Sequence, residues 1–484
     1  MSEEEAISTD AGATKSGAAR VDRMPRSVPF IVGNEAAERF SYYGMRSILT
    51  LYMAEVLMMG DKKAVEVMHL FIAAVYFMPL LGGWIADRWW GRYWTILTIS
   101  LFYCLGHGVL AIFEGSQAWL YVGLALIAIG SGGIKPCVSA FVGDQFGPER
   151  EHLLPKVYGM FYWAINFGSF FAFLIIPWVK ERAGYSWAFA IPGIAMGLAT
   201  LIFWLGTPAY VRKPPARQTK QAGFFKVLWH AWKRRAARRP GSSFLDAARD
   251  RFSPSEVGAV KAVLGILMLY APLPVFWSLF DQTASTWVLQ GAQMRPFDLW
   301  GFTIDAERIQ SLNPLLVMIL IPLFTGVLYP WLAKRGLNPT PLRRMTAGMF
   351  LAASSFAVCA WLEARVRAGA ELSILWQALP YLILTSGEVL FSTTGLEFAF
   401  SQAPASMKST IMSFWLLTVA VGDLLVAVIT DLNKRLIGAE GAAQFLLYAG
   451  MMLGVTAIFA VLAAVYARLR ARFVAEDSGL RPAA

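Results

Sequence analysis

Apolar runs of about 20 residues recur along the whole of this sequence, and they constrain its fold more than any other feature. Inside a bilayer each run must satisfy its own backbone hydrogen bonds, which leaves either helices or a closed β-barrel. Barrel strands alternate over about 10 residues, whereas the run TILTISLFYCLGHGVLAIF is longer and does not alternate. Charged residues make up 15% of the chain, against roughly 25% in soluble domains. The sequence therefore predicts an all-α integral membrane protein.

The apolar runs predict twelve transmembrane helices in two groups of six. The first group occupies 28–207, the second occupies 260–470, and a basic linker at 208–259 separates them. We expect each group to form a six-helix bundle, as in transporters that bind substrate between two halves. An equal division is also compatible with a channel or a membrane enzyme. The linker segment KVLWHAWKRRAARR favours an amphipathic helix lying on anionic lipid over a regulatory docking site.

The net charge of +11 is concentrated in loops that the span count places on one side of the membrane. The positive-inside rule assigns that side to the cytoplasm. We therefore expect a multi-pass protein, of the inner membrane if the source is bacterial, with cytoplasmic tails at 1–27 and 471–484. A nucleic-acid partner is not expected, because the linker alone does not provide a basic folded domain. Four basic residues in outward loops depart from the rule: Arg365, Arg367, Lys434 and Arg435.

The first span, NEAAERFSYYGMRSILTLYM, carries both acids and bases. At about 100° per residue, one helical face holds Glu35, Glu38, Arg39, Tyr42 and Arg46. Ionisable groups inside a membrane face a bundle interior or water rather than lipid, because their transfer into hydrocarbon is costly. Their mixed signs also allow mutual pairing along the helix. This pattern favours a proton and substrate site over an interfacial charge cluster.

Isolated polar groups occur in four further spans. Lys135 lies deep in the fourth span among glycines that allow close helix approach, so it needs a buried anion. Glu388 lies in the tenth span and Asp281 lies in the seventh. His69 and Tyr76 are seven residues apart and share one face of the second span. On spacing alone, a lone histidine in an apolar span is more often a structural hydrogen-bonding group.

Other classes of site find little support in the sequence. The three cysteines and four histidines have no spacing typical of a disulfide framework or a metal site, so no metal is expected. We find no nucleophile with a nearby base and no phosphate-binding loop, which disfavours a membrane enzyme.

Several segments resemble the proton-dependent oligopeptide transporter family of the major facilitator superfamily. NEAAERFSYYG matches the family motif E-x-x-E-R-F-x-Y-Y-G at every fixed position. FYWAINFGSF is similar to the family signature F-Y-x-x-I-N-x-G-S-L, with Phe170 in place of the final leucine. GGWIADRWWGR resembles the loop after the family's second helix, and GGIKPCVSAFVGDQF, FWSLFDQ and GEVLFSTTGLEFAFSQAP resemble further family segments. The resemblance covers about residues 28–470.

This resemblance implies two inverted-repeat bundles and proton-coupled symport of di- and tripeptides into the cytoplasm by alternating access. The proton is the coupling ion and no cofactor is implied. Peptides, protons and membrane lipids are the expected partners of a protein that functions as a monomer. Small-anion carriers of the same superfamily, such as nitrate carriers, are a rival, although they often lack the two glutamates of the first motif.

The resemblance also implies roles for individual residues. A pair between Arg46 and Asp281 would bridge the bundles on the outward side, and Lys135 could pair with a peptide carboxylate or with Glu388. Proton coupling would involve Glu35, Glu38, Arg39, His69 and Asp281. Substrate binding would involve Arg46, Tyr42, Tyr43, Tyr76, Lys135, Asn166, Asn313, Glu388, Ser392 and Trp415. A cytoplasmic gating latch would involve Asp87, Arg88 and Arg92. Without the resemblance, the two asparagines and Trp415 could equally be interhelical hydrogen-bonding or interfacial anchoring groups.

Overall fold

The computed structural model describes residues 22–215, 223–235, 243–337, 340–402, 404 and 407–477. Most of the predicted N-terminal tail, part of the linker and the last seven residues lie outside the described residues. The described chain is almost entirely helical, as the apolar runs predict.

The N-terminal half contains six helices connected by short turns. They are α1 (Val28–Leu51), α2 (Asp61–Ile85), α3 (Gly91–Ile112), α4 (Gln117–Ile127), α5 (Gly133–Asp144) and α6 (Leu154–Leu205). The side chain of Ser116 accepts a hydrogen bond from the backbone N–H of Trp119, which caps the start of α4. Helix α7 (Phe224–Lys233) follows in the linker.

The described residues of the C-terminal half form ten α-helices and one β-hairpin. They are α8 (Pro254–Tyr270), α9 (Leu273–Phe280), α10 (Thr286–Ala292), β1 (Phe297–Leu299), β2 (Phe302–Ile304), α11 (Leu312–Leu323), α12 (Tyr329–Lys334), α13 (Pro341–Arg367), α14 (Ala378–Glu388), α15 (Thr394–Gln402), α16 (Lys408–Leu432) and α17 (Ala442–Asp477). Short π-helical turns interrupt several spans, and three of them in the described residues contain polar residues of interest: Ala86–Trp90 contains Asp87 and Arg88, Ala128–Gly132 contains Ser131, and Val389–Thr393 contains Ser392.

Two long apolar segments must each cross the membrane more than once. Asp61–Ile112 has 52 residues and Pro148–Leu205 has 58. At 1.5 Å per residue such helices would exceed about 75 Å, more than twice the thickness of the hydrocarbon core. Gly91 has a φ of +72° and Gly184 a φ of +83°. Because this conformation suits glycine and cannot continue a helix, the two glycines divide the segments into separate crossings.

The described residues contain eight helical segments long and apolar enough to cross a membrane, or nine if Pro254–Tyr270 and Leu273–Ala292, bent by 44°, form one. Helix α1 is not among them because its four buried charges lower its apolar character. The protein is thus a multi-pass membrane protein. The number of twelve spans stays a prediction. The breaks at Gly91 and Gly184 agree with it, because each divides one long segment into separate crossings.

Two separate clusters of buried apolar side chains correspond to the two halves. One cluster extends from Val28 to Tyr210 and takes in only Ala284 from beyond the linker. The other extends from Phe224 to Ala463. A core in each half leaves an interface between them that is rich in polar groups.

The all-α prediction missed a small hairpin between α10 and α11. Phe297 pairs with Ile304 in antiparallel register, and the loop consists of Trp300 and Gly301. Both loop residues have positive φ, of 49° and 84°, as a two-residue type I′ turn requires. A tryptophan is unusual in that position, so the sequence carried no ordinary hairpin signal. A second difference is that α17 continues to Asp477, into the segment predicted as a tail.

The linker contains a helix where the basic amphipathic segment occurs. Phe224, Val227 and Ala231 of α7 are buried. Its opposite face exposes Phe225, Trp229 and Trp232, an arrangement suited to the lipid interface.

A capping box formed by Ser243 and Asp246 begins the short 3-10 helix Phe244–Asp250, which precedes α8, and its contribution to stability can be tested. Asp246 accepts hydrogen bonds from the Ser243 N–H and from Lys261 Nζ, both at 2.8 Å. The bond from Lys261, followed by that from the Ser243 backbone, holds the pKa of Asp246 below its ordinary value. We expect Asp246→Asn to weaken residues 244–251 by about 1 kcal/mol, seen as roughly fivefold faster amide hydrogen exchange.

The pH dependence follows from the sign of that shift. A carboxylate with a lowered pKa in the folded state stabilises it above the ordinary pKa, and the contribution is lost as pH falls through the lowered value. The difference between the wild type and Asp246→Asn should therefore shrink in acid. A difference that persists unchanged at acid pH would contradict the role of the charge.

Candidate functional site

A cavity of about 240 Å³ lies between the two halves of the protein. Its volume is slightly below the range of about 300–1,000 Å³ that is typical of ligand pockets. Both halves contribute aromatic and polar walls, so an occupant would touch both. Eight residues that were predicted to bind substrate line the cavity: Tyr43, Arg46, Tyr76, Asn166, Asn313, Glu388, Ser392 and Trp415.

Glu388 provides the acidic wall of the cavity. It ends helix α14, and its Oε2 accepts a hydrogen bond of 2.8 Å from Asn313 Nδ2. Asn313 also lies 3.2 Å from the hydroxyl of Thr385. One amide therefore orients the carboxylate, while no cation pairs with Glu388 among the described residues. The carboxylate is available to a positively charged ligand group.

Arg46 provides a basic group in the same cavity. Its Nη2 lies 2.7 Å from Oδ1 of Asp281, and this ion pair joins α1 to the turn after α9. The two side chains are nearly buried, at 7% and 3% exposure for the residues. The Nε of Arg46 has no hydrogen-bond partner in the structure. Because Arg46 also lines the cavity, its guanidinium both bridges the halves and presents a positive charge to an anionic ligand.

Two of the residues that were predicted to bind substrate, Lys135 and Tyr42, are not among the residues that line the cavity, so their role stays a prediction. The Nζ of Lys135 lies 4.2 Å from the ring centroid of Tyr76 and 4.8 Å from that of Tyr42. Within the described residues, Lys135 forms no ion pair within 4.0 Å, and so none with Glu388. The ring faces, together with longer-range attraction to Glu35 and Glu38, take the place of the expected hydrogen-bonded anion.

The acids of the first motif surround one arginine. Arg39 Nε lies 2.6 Å from Glu35 Oε1 and 2.9 Å from Glu38 Oε2. Ser131, from the π-helical turn after α4, donates a bond of 3.1 Å to Glu38. All of these groups belong to the N-terminal half. Two carboxylates share one guanidinium, and Lys135 adds only a longer-range attraction, so a proton on either acid changes which ion pair Arg39 keeps.

Polar bonds between the halves cluster at one end of the molecule, near the end of α1, the start of α2 and the middle of α6. We call this end of the molecule the bridged end. Besides the Arg46–Asp281 pair, its bonds comprise Thr50–Ala284, Ser47–Gln310, Lys62–Glu440, Lys180–Glu307 and Glu181–Arg308. Leu51 packs there with Val288 and Ala306. These contacts close the cavity at the bridged end.

His69 lies in the interface beside the bridged end and is fully buried. Its Nδ1 lies 2.7 Å from Asp423 Oδ1, and its Nε2 lies 2.8 Å from Ser285 Oγ. Neither partner was predicted. Asp423 could have been found, because an acid within the apolar run VAVGDLLVAV is a candidate functional group by default.

The predicted gating latch has a different centre in the structure. Arg92 pairs with Asp144 at the end of α5, and Lys213 lies 2.9 Å from the same carboxylate. Asp87 is 4.0 Å from Arg92 and its side chain is largely exposed, while Arg88 is exposed and pairs with no acid among the described residues. The ion pairs here connect α3, α5 and the linker, and Asp144 rather than Asp87 is the acid closest to Arg92. The gating role itself stays a prediction.

Further cavity residues escaped the sequence prediction. Tyr162 and Ser169 belong to the same segment as Asn166, FYWAINFGSF, so the motif itself was a usable signal. Trp277, Gln310 and Tyr381 also line the cavity. Trp277 belongs to the quoted segment FWSLFDQ and so had a comparable signal. Gln310 and Tyr381 lie outside the quoted segments, and their residue types give no signal, because aromatic and amide side chains are common in helix interfaces.

Comparisons with known proteins agree with this architecture. A model of the POT family matches residues 93–444. Solute carrier family 15 member 2 of Rattus norvegicus is 41% identical over 361 residues, which cover 71% of this chain and 49% of that protein. Peptide transporter family 1 of Drosophila melanogaster is 40% identical over 363 residues, which cover 72% and 48%. The chain spans about half the length of these curated relatives.

Solved structures match over nearly the whole described fold. The crystal structure of the POT family transporter PepTSo is 41% identical, with a TM-score of 0.86, and the match covers 92% of this chain and 99% of that one. Together with 281 structural matches and the family model, this likeness assigns the major facilitator fold. The protein belongs to the POT family of membrane transporters, which are not enzymes.

Proposed function

We propose that this protein carries di- and tripeptides into the cytoplasm together with protons, by alternating access. The observation that carries the proposal is a cavity between the halves whose wall contains both a carboxylate without a cationic partner among the described residues, Glu388, and a guanidinium, Arg46. The fixed charges of a short peptide of any sequence are its two termini. A site that holds both termini and surrounds the rest with aromatic walls tolerates varied side chains.

Proton coupling is assigned to the buried acids beside the cavity. Glu35 and Glu38 compete for Arg39, and Asp281 holds Arg46 at the bridged end. A proton bound to one of these acids weakens its ion pair and allows the halves to move. One proton crossing about 100 mV supplies about 2.3 kcal/mol, which supports roughly 50-fold accumulation. The proton is the only coupling ion in this scheme, and no cofactor takes part.

The proposed setting is a cell membrane, the inner membrane if the source is bacterial, with both termini in the cytoplasm. In that orientation the bridged end faces outward, so the cavity is closed to the outside. Helix α7 would then lie on the cytoplasmic leaflet, where its exposed aromatic side chains meet lipid. The two complete cores within one chain favour action as a monomer.

Dipeptide uptake into liposomes with an inward proton gradient tests the function. We expect the wild type to accumulate dipeptide only with the gradient, and Glu38→Gln to accumulate at least roughly tenfold less, because it cannot bind a proton beside Arg39. Glu66→Gln is a matched control, since Glu66 is partly exposed and its ion pair among the described residues is with Lys63, one turn away. Uptake indifferent to the gradient, or uptake of nitrate instead of dipeptide, would contradict the proposal.

A further inference from the structure

Asp423 is a buried acid that the proposed mechanism does not yet use. It lies in the middle of α16 and has no exposed surface. One oxygen contacts His69, whereas the other, Oδ2, is buried and has no hydrogen-bond partner in the structure. A charged carboxylate with a bare oxygen is unstable in a dry interior unless a positive charge or a proton compensates it.

The groups around Asp423 come from several elements of both halves. His69 from α2 contacts it directly, and Ser285 holds the far side of the imidazole. Arg46 and Asp281, paired with each other, interact electrostatically with Asp423, as does the hydroxyl of Tyr42. The compensating charge of Arg46 is therefore already engaged by another acid.

We propose that Asp423 and His69 together bind a coupling proton across the interface between the two halves. With one shared proton the pair is neutral, either as carboxylic acid and imidazole or as carboxylate and imidazolium. Without that proton it carries one negative charge. Binding and release change only an O–H or N–H bond, with water outside the closed interface as the donor.

This arrangement couples proton binding to closure of the bridged end. Helix α2 belongs to the N-terminal half and α16 to the C-terminal half, so opening of that end separates His69 from Asp423. Closure returns both groups to a dry interface. If the pair has lost its proton, closure buries a second negative charge beside Arg46 and Asp281, which is unfavourable. The end therefore closes readily only after a proton has entered from that side.

Close packing supports a fixed geometry at this point. A Cβ added to the neighbouring Gly422 would lie 2.5 Å from the carbonyl oxygen of Pro274 and 2.8 Å from Cβ of Trp277. Helix α16 is thus pressed against α9 one residue before Asp423. The carboxylate cannot turn away to water while the interface is closed, so its charge must be compensated in place.

The inference rests on the proposed function, and Asp423→Asn tests it. Asparagine keeps the size and an acceptor for His69 but binds no proton. We expect gradient-driven dipeptide accumulation to fall at least roughly tenfold, while counterflow of dipeptide at equal pH, which needs no net proton movement, stays within about twofold. The pH profile of exchange should flatten, because one titrating group is gone.

Three further variants make the outcome decisive. Asp431→Asn is the matched control, since Asp431 lies two turns along the same helix, is half exposed and pairs with Arg435; we expect it to behave as the wild type. If Asp423→Asn also loses counterflow, Asp423→Glu decides: recovery of accumulation supports the inference, and accumulation no better than that of Asp423→Asn overturns it. Ser285→Ala should leave gradient-driven accumulation in place, because serine only orients the imidazole.

Two outcomes separate this inference from the proposed function. If Asp423→Asn accumulates dipeptide as well as the wild type does and its pH profile is unchanged, the role of Asp423 is overturned and peptide symport stays intact. Failure of the wild-type protein to take up dipeptide would overturn symport itself.

Discussion

Replacement of Arg46 by glutamine is expected to reduce dipeptide accumulation at least roughly a hundredfold and to loosen the bridged end. Arg46 and Asp281 are nearly buried and 2.7 Å apart. Removal of one member of a buried ion pair costs about 3–5 kcal/mol, because the other charge stays buried without a partner. Liposome uptake measures the first effect. Labelling of a cysteine introduced at Leu51, which is buried in the closed interface, measures the second.

A double variant separates closure from substrate binding. Arg46→Gln with Asp281→Asn leaves no uncompensated charge, so we expect labelling at residue 51 to return toward the wild-type rate. Accumulation should stay low, since the guanidinium that faces the cavity is still missing. If residue 51 is labelled as slowly in the single variant Arg46→Gln as in the protein with Arg46 intact, the ion pair does not hold the bridged end closed.

Replacement of Gly82 by alanine is expected to destabilise the fold strongly. The added Cβ would lie 2.2 Å from the carbonyl oxygen of Gly133 and 2.6 Å from its Cα. Backbone atoms cannot move aside as a flexible side chain can, so α2 and α5 would have to separate. We expect a loss of about 3 kcal/mol, seen as a Tm lower by roughly 5 °C or more in detergent.

The adjacent glycine provides the control for that experiment. A Cβ on Gly83 would meet only Cγ of Pro136, at 4.0 Å. Gly83→Ala should therefore leave the Tm within about 1 °C, since ordinary van der Waals contact brings no strain. Equal losses in the two variants would mean that helix flexibility, rather than close approach of α2 and α5, explains the requirement for glycine.

The sequence predicted the parts of this protein that depend on local pattern. Apolar runs predicted the helices, and the mixed charges of α1 predicted buried acids around Arg39, which the structure contains. Partners far apart along the chain could not be derived in this way. The contacts of Lys180 with Glu307 and of His69 with Asp423 join residues 127 and 354 positions apart. No local periodicity carries that information.

Lys135 shows a second limit of reasoning from the sequence. A buried lysine needs electrostatic compensation, and the prediction assumed an anion. The rings of Tyr76 and Tyr42 provide part of it instead, because the negative face of an aromatic ring also attracts a cation. The sequence therefore predicted the requirement for compensation but gave no sign of the aromatic rings, and a pair between Lys135 and a peptide carboxylate stays a prediction.

The position of the bridged end has a consequence for inhibitors that approach from outside. In the proposed orientation an extracellular competitor reaches the cavity only in molecules that have transiently opened. Its apparent affinity is its intrinsic affinity multiplied by the open fraction, and each 1.4 kcal/mol that favours closure weakens it about tenfold. Substitutions far from the cavity, at Lys180 or Glu307, could thus make a compound seem more potent without touching its binding site.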